Sequence, residues 1–142
     1  TRDRRQRQMC IRDSGNTDFS TAYQHNNKLL YIDKLIIPLP YDFDMSGFIN
    51  PSYAVVNETL NIANIRQRKY RGFKRDEDVF YKVRDIFIER KSDMLTLIKS
   101  FETDFDNVNE YEEAYSYIES FFDIIEDDKK FKDNVVLAAR TK

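Results

Sequence analysis

Three side chains with oxygen donors are spaced along the stretch from Gly15 to Asp44 in an order that could serve phosphoryl transfer. Asp18 comes first, Asn26 follows eight residues later, and Asp42 lies sixteen residues after that. A carboxylate near an acceptor hydroxyl can take its proton, while an amide and a second carboxylate are hard oxygen ligands of the kind that Mg²⁺ prefers. In this order, such residues are typical of a site in which a magnesium ion bridges the phosphates of a nucleotide.

Further polar residues in the same stretch have two interpretations each. Asp44 ends an Asp-Phe-Asp triplet and could either join the metal site or cap the following turn. His25 is the only histidine, and with no visible partner it suits a structural hydrogen bond better than a catalytic base. Asp18 itself follows Asn16 and Thr17, and all three are residue types that cap turns and helices. The order of the residues along the chain, rather than any one of them, therefore indicates the chemistry.

Two short strands are predicted between the candidate metal ligands. Lys28 to Asp33 and Lys34 to Pro40 are rich in aliphatic and β-branched residues, and a tight turn would join them. Pro38 and Pro40 favour an edge strand or a strand end, because proline cannot donate a ladder hydrogen bond. Asp42 follows directly, so the hairpin would present it at a fixed position.

The composition suits one soluble domain of ordinary size. The chain has 142 residues, of which 41% are hydrophobic and 14% aromatic, so it can bury a core. Charged residues make up 34% but nearly cancel to a net charge of −2, which argues against a nucleic-acid-binding or membrane-binding class. No apolar run approaches the roughly 18–20 residues of a membrane span. Cys10 is the only cysteine and cannot form an internal disulfide.

The chain beyond Gly72 contains no glycine or proline, and its pattern predicts helices. Apolar residues recur every three or four positions from Asp76, which predicts an amphipathic helix of about 25 residues. A second helix is predicted to begin near Asn109, which has capping-box spacing to Glu112, and a short loop would make the two helices antiparallel neighbours. A third, shorter helix is predicted over Phe131 to Ala139. The expected core residues are Val79, Val83, Ile86, Phe87, Met94, Leu97, Ile98 and Phe101 in the first helix and Tyr111, Tyr115, Ile118, Phe122 and Ile125 in the second.

Residues 1–14, TRDRRQRQMCIRDS, differ from the rest of the chain. They carry five Arg and two Asp, a net charge of +3, which leaves −5 for the other 128 residues. The string RQRQMCIRDS resembles the translation of a sequencing adapter joined to a truncated read, a contaminant of assembled metagenomic sequences. The alternative is a natural basic N-terminal arm. We therefore expect residues 1–14 to be a non-native leader that packs against nothing, and the native protein to continue upstream of Gly15.

Four segments together resemble an uncharacterised bacterial family related to the kinase-like fold: GNTDFS, HNNKL, PYDFDMSGFINPSYA and RQRKYRGF. The layout is similar to that of HipA-type and spore-coat CotH-type kinases, and the resemblance covers about Gly15 to Phe73. It implies that Asp18 is the catalytic Asp, that Asn26 and Asp42 bind the metal, and that Mg²⁺ and ATP are the cofactors.

The resemblance also implies an α+β fold, in which a β-hairpin and catalytic-type loops (15–75) pack on a mainly α-helical, kinase C-lobe-like part (76–142). The N-terminal lobe would be absent, because no Gly-rich loop, nucleotide-binding Lys or partner Glu precedes Asp18. We therefore expect a fragment of a kinase-like, ATP- and Mg-dependent phosphotransferase that is inactive as this fragment. The alternative is a non-catalytic α+β protein-interaction module, pseudokinase-like or structural. The phosphoryl acceptor, the compartment and the oligomeric state are not indicated.

A basic cluster lies between the predicted hairpin and the predicted helices. Six of the ten residues from Arg66 to Arg75 are Arg or Lys. They could dock a phosphate or an acidic substrate, with Arg66, Arg68 and Arg71 as the candidates. The alternative is that they pair with the acidic helices that follow.

Overall fold

A computed structural model describes residues 15–16, 25–56 and 58–141 of the chain. The predicted leader, residues 1–14, and the candidate base Asp18 lie outside these residues. The chain divides between Lys69 and Tyr70 into two compact units. The first contains an antiparallel hairpin and the second contains three α-helices, so the predicted α+β class is confirmed.

The hairpin consists of β1, Asn27–Ile32, and β2, Leu35–Pro40. The pairing runs from Ile32 opposite Leu35 to Asn27 opposite Pro40, which leaves a two-residue turn. Both turn residues, Asp33 and Lys34, have left-handed backbones, with φ of 45° and 66°. Two consecutive left-handed residues make a type I′ turn, whose twist matches that of the strands. The predicted hairpin is confirmed, with each strand one residue from its expected start.

The prolines of β2 occupy the pairing positions that tolerate them. The Tyr41 N–H donates to the Asn26 carbonyl at 3.0 Å, just beyond the strands. Because hydrogen-bonded and non-hydrogen-bonded pairs alternate along an antiparallel ladder, Pro40 and Pro38 fall at non-hydrogen-bonded positions. The N–H that proline lacks would have pointed away from β1 there, so the ladder loses nothing.

Lys34 is the weak point of this hairpin, since a left-handed backbone is unfavourable for a residue with a Cβ and favours glycine. We expect Lys34→Gly to stabilise the hairpin by about 0.5–1 kcal/mol. Lys28→Gly in β1 is the matched control and should destabilise it by a similar amount, because glycine weakens an extended strand. Hydrogen exchange of the hairpin amides measures both changes. Equal destabilisation by the two variants would contradict the assigned turn.

The second unit is built on two long helices, α1 at Glu77–Ser100 and α2 at Val108–Ile125. Arg84 and Phe87 in the first half of α1 contact Ile125 and Phe121 at the end of α2, so the helices are antiparallel as predicted. The rings of Phe87 and Phe121 meet edge to face with centroids 5.5 Å apart. The buried apolar side chains of this unit are Tyr70 before α1, Phe80, Val83 and Phe87 of α1, Tyr111, Ala114, Tyr117, Ile118, Phe121, Phe122 and Ile125 of α2, and Phe131, Val135, Val136 and Ala139 after them.

Two details of the helices differ from expectation. The N-cap of α2 is Asn107, whose side-chain oxygen accepts the Glu110 N–H at 3.0 Å, and not Asn109. Leu97 and Phe101 were expected in the core but are 61% and 50% exposed. The buried stripe of α1 therefore covers its first half, where the end of α2 packs against it.

The chain after α2 returns to the start of the second unit and bonds with it. A short helix α3, Asp128–Phe131, continues into a π-helical turn over Lys132–Val136, so the third helix begins three residues before its predicted start. The Lys130 N–H donates to the Asp127 carboxylate at 2.8 Å and holds the pKa of that N-cap carboxyl below its usual range. Arg140 then exchanges backbone hydrogen bonds with the segment Gly72–Lys74. Within the described residues, the helices are too short or too polar to cross a bilayer.

Candidate functional site at the base of the hairpin

The two candidate metal ligands, Asn26 and Asp42, flank the hairpin and lie at neighbouring positions. The Tyr41 N–H bonds the Asn26 carbonyl at 3.0 Å, so Asp42 directly follows the residue paired with Asn26. A hydrogen-bonded antiparallel pair separates Cα atoms by about 5.5 Å and one peptide unit adds about 3.8 Å, so the Cα atoms of Asn26 and Asp42 lie within about 9 Å. The fold thus brings together two residues that are sixteen apart in the sequence.

Both candidate ligands have left-handed backbones. Asn26 has φ of 50° and Asp42 has φ of 59°. Asn and Asp are the residue types other than glycine that adopt this conformation most readily, yet it still costs of order 1 kcal/mol. Strained backbone of this kind concentrates at functional sites, where the surrounding structure maintains it. Asp33, Lys34, Asn50 and Asn61 of the same unit share this conformation, so it does not by itself single out the hairpin base.

The four buried polar residues of the first unit, Asn16, Asn26, Asn27 and Ser46, lie in or next to the segments that flank the hairpin. Asn16 forms a β-bridge with Ser46 and donates through Nδ2 to the Asp42 carbonyl at 3.2 Å. The Ser46 hydroxyl accepts the Ile49 N–H at 3.3 Å. The hydrogen bond from Asn16 holds the backbone carbonyl of Asp42 in place, and the Asp42 side chain is exposed.

The buried side-chain amide of Asn27 lacks hydrogen-bond partners among the described residues. The residue is 1% exposed, and among the residues that the structure describes neither its Oδ1 nor its Nδ2 has a hydrogen-bond partner. An unpaired buried polar group costs about 1–3 kcal/mol, so a native structure rarely keeps one without a reason. The orphaned amide, one residue from Asn26, fits a site that takes up a further polar group.

Asp44 is already engaged within its own turn. Its Oδ1 accepts the Met45 N–H at 2.8 Å and its Oδ2 accepts the Tyr53 hydroxyl at 3.4 Å. Both contacts lie within the loop that follows the hairpin, and neither decides between the two interpretations of Asp44. As a metal ligand, its carboxylate would have to give up the Tyr53 contact.

The other candidates fall in different places. Asp18 lies outside the described residues, and His25 is exposed beside Asn26. Arg66, Arg68 and Arg71 are each half-buried, and each has an interaction partner, so they do not form an open basic surface. The sequence interpretation overlooked Asn16, Asn27 and Ser46 as site residues. Their only signal was the repetition of Asn and Ser around the two candidate ligands.

The donor set at the hairpin base fits a magnesium ion that arrives with a nucleotide. In the described part of the chain, no three Asp, Glu, His or Cys side chains converge as a metal cage. Asn26 carries an amide and is buried, whereas Asp42 carries a carboxylate and is exposed. Mg²⁺ is commonly bound through one or two carboxylates plus waters and substrate phosphates rather than by an all-protein cage. The residues present therefore suit a shared protein–nucleotide site.

Known proteins provide no relative for this chain, since no protein-family model, curated protein or solved structure matches it. The function must therefore be inferred from the geometry of the hairpin base.

Proposed function

We propose that this chain forms part of the catalytic site of a kinase-like, ATP- and Mg-dependent phosphotransferase. The observation that carries the proposal is the hydrogen bond from Tyr41 to Asn26, which closes the hairpin and brings Asp42 next to Asn26. An amide and a carboxylate on either side of one hairpin are the ligand types that hold a nucleotide-bound magnesium ion. The buried Asn27 amide, which has no hydrogen-bond partner among the described residues and follows Asn26 in the sequence, supports the same location.

Each residue has a distinct role in the proposed reaction. Asn26 and Asp42 would hold Mg²⁺, which when bound neutralises charge on the nucleotide phosphates. Asp18 would orient the acceptor hydroxyl and take its proton.

Titration calorimetry with Mg²⁺-ATP, together with a phosphate-transfer assay, tests the proposal on the full-length gene product. We expect that protein to bind Mg²⁺-ATP and to transfer phosphate. The present chain alone should bind ATP weakly and transfer nothing, since its three glycines lie far apart at positions 15, 47 and 72 and form no phosphate-binding loop. A full-length protein that neither binds nor hydrolyses ATP would refute the proposed phosphotransferase function.

The second candidate function is that of a non-catalytic protein-interaction module. Exposed apolar residues on the hairpin favour it. Leu30, Ile32 and Leu39 share one face of the two strands, and each is at least two-fifths exposed. Tyr31, on the other face, is 70% exposed. Exposed apolar residues clustered on a small sheet are typical of protein contact surfaces. Absence of ATP binding in the full-length protein would leave this function as the conclusion.

A further inference from the structure

A groove of about 540 Å³ follows one flank of α1 in the helical unit. Ile88 and Leu95 of α1 and the Tyr115 ring of α2 supply its apolar surface, and all three are half-buried. Ser92 and Thr96 add exposed hydroxyls along the helix. The groove is therefore apolar at its base and polar along its edge, as a site for a packed helix should be.

The groove also carries one charge of each sign without an ion-pair partner. Glu89 and Lys99 both line it, and ten residues of helix separate them by about 15 Å. Neither forms an ion pair with any residue that the structure describes. The third charged residue in the groove, Lys91, is already held by both carboxylate oxygens of Glu126, at 2.8 and 2.9 Å. A ligand with a positive group and a negative group about 15 Å apart would complement both charges.

The same stretch of α1 fits this description when it is turned end to end. In an antiparallel pair of α1 helices centred on Met94, Glu89 of each copy lies opposite Lys99 of the other. Ile88 and Leu95 are spaced by seven residues, the repeat with which helices pack along one stripe. We propose that the groove is a self-association surface, at which α1 of a second copy packs antiparallel against α1 of the first.

The symmetry of the proposed contact also limits the size of the assembly. Both ion pairs form at once by a single two-fold rotation, so the contact is closed and stops at a dimer. The proposal does not depend on the phosphotransferase function, since no hairpin residue takes part.

Sedimentation equilibrium of the protein over a wide concentration range tests the proposal. We expect a reversible dimer that weakens as salt screens the ion pairs. Glu89→Lys and Lys99→Glu should each weaken it about tenfold or more, because each change turns two attractive pairs into repulsive ones. The double variant Glu89→Lys/Lys99→Glu should restore the dimer, since the swapped charges again face opposite signs.

A matched control and a fold check keep the test decisive. Asp133→Lys makes the same charge change at an exposed position outside the groove and should leave the dimer unchanged. Circular dichroism confirms that each variant is folded, and Glu89→Gln replaces Glu89→Lys if that variant is not. A protein that stays monomeric at its highest soluble concentration overturns the proposal, as does a double variant that remains as weak as the singles. Rescue by the double variant also rules out an unrelated protein as the natural occupant, because its charges would not have changed.

Discussion

Asp42→Asn is expected to abolish magnesium-dependent ATP turnover in the full-length protein. An amide is a much weaker magnesium ligand than a carboxylate, and Asp42 is the exposed carboxylate next to Asn26 at the hairpin base. The fold should survive, because Asn tolerates the left-handed backbone at this position at least as well as Asp does. Turnover measured against Mg²⁺ concentration, with a thermal melt of each variant, separates lost metal binding from lost folding.

Asp33→Asn is the matched control for this substitution. Asp33 is also an exposed aspartate with a left-handed backbone, but it lies in the turn at the far end of the hairpin. It should therefore leave turnover and stability unchanged. If Asp42→Asn and Asp33→Asn behave alike, Asp42 is not the metal ligand.

Two further variants assign the remaining carboxylates. Asp18→Asn should leave nucleotide binding largely intact and slow phosphate transfer, since its proposed role is at the acceptor hydroxyl. Asp44→Asn distinguishes its two interpretations, because Asn can still accept the Met45 N–H but is a poor metal ligand. A shift in the Mg²⁺ dependence of turnover would assign Asp44 to the metal.

Arg84→Ala is expected to destabilise the helical unit by about 3 kcal/mol, because it removes a buried, hydrogen-bonded charged side chain. Arg84 is buried on α1, and its Nε–H and Nη2–H donate to the carbonyls of Ile125 and Glu126 at the end of α2, the latter at 3.1 Å. Its Nη1 contacts the Asp128 carboxylate at 2.6 Å. Its guanidinium also stacks 5.2 Å from the ring centroid of Phe131. One side chain therefore caps α2 and holds the start of α3 against α1.

Lys91→Ala is the matched control for Arg84→Ala. Lys91 also reaches Glu126 from α1, but both members of that pair are more than one-third exposed. Such a pair contributes roughly 0–1 kcal/mol, so its loss should be small. Arg84→Met keeps most of the apolar bulk and loses the hydrogen bonds, which separates packing from capping. Urea unfolding followed by circular dichroism measures all three, and equal effects of Arg84→Ala and Lys91→Ala would contradict the role of Arg84.

Local patterns in the sequence were sufficient to predict the hairpin and the two long helices. The hairpin is determined by β-branched strands and a two-residue turn, and the helices by an apolar repeat unbroken by glycine or proline. These signals depend on neighbours a few residues away, so they can be read without knowing the fold. The predicted cap of α2 lies two residues from the observed one, because several cap-forming residues, among them Asp106, Asn107 and Asn109, lie close together and only the backbone conformation selects one.

The candidate site could be predicted only in part. The order of Asn26, hairpin and Asp42 was visible, since the turn dictates which residues face each other across the strands. The orphaned amide of Asn27 and the engagement of Asp44 by Tyr53 were not. Both depend on where side chains point after the loop beyond Asp42 folds back.

The sequence by itself thus determined the elements and their order, because helix and strand periodicity are local properties. The tertiary structure decided which equivalent residues are buried. Leu97 and Phe101 fit the same apolar repeat as Phe87, yet they are exposed, because only the first half of α1 packs against the end of α2. Arg84 is buried although arginine is usually exposed, because carbonyl groups that lie more than forty residues away along the chain accept its hydrogen bonds. Burial is a property of contacts between distant segments, and a local pattern cannot specify which segments meet.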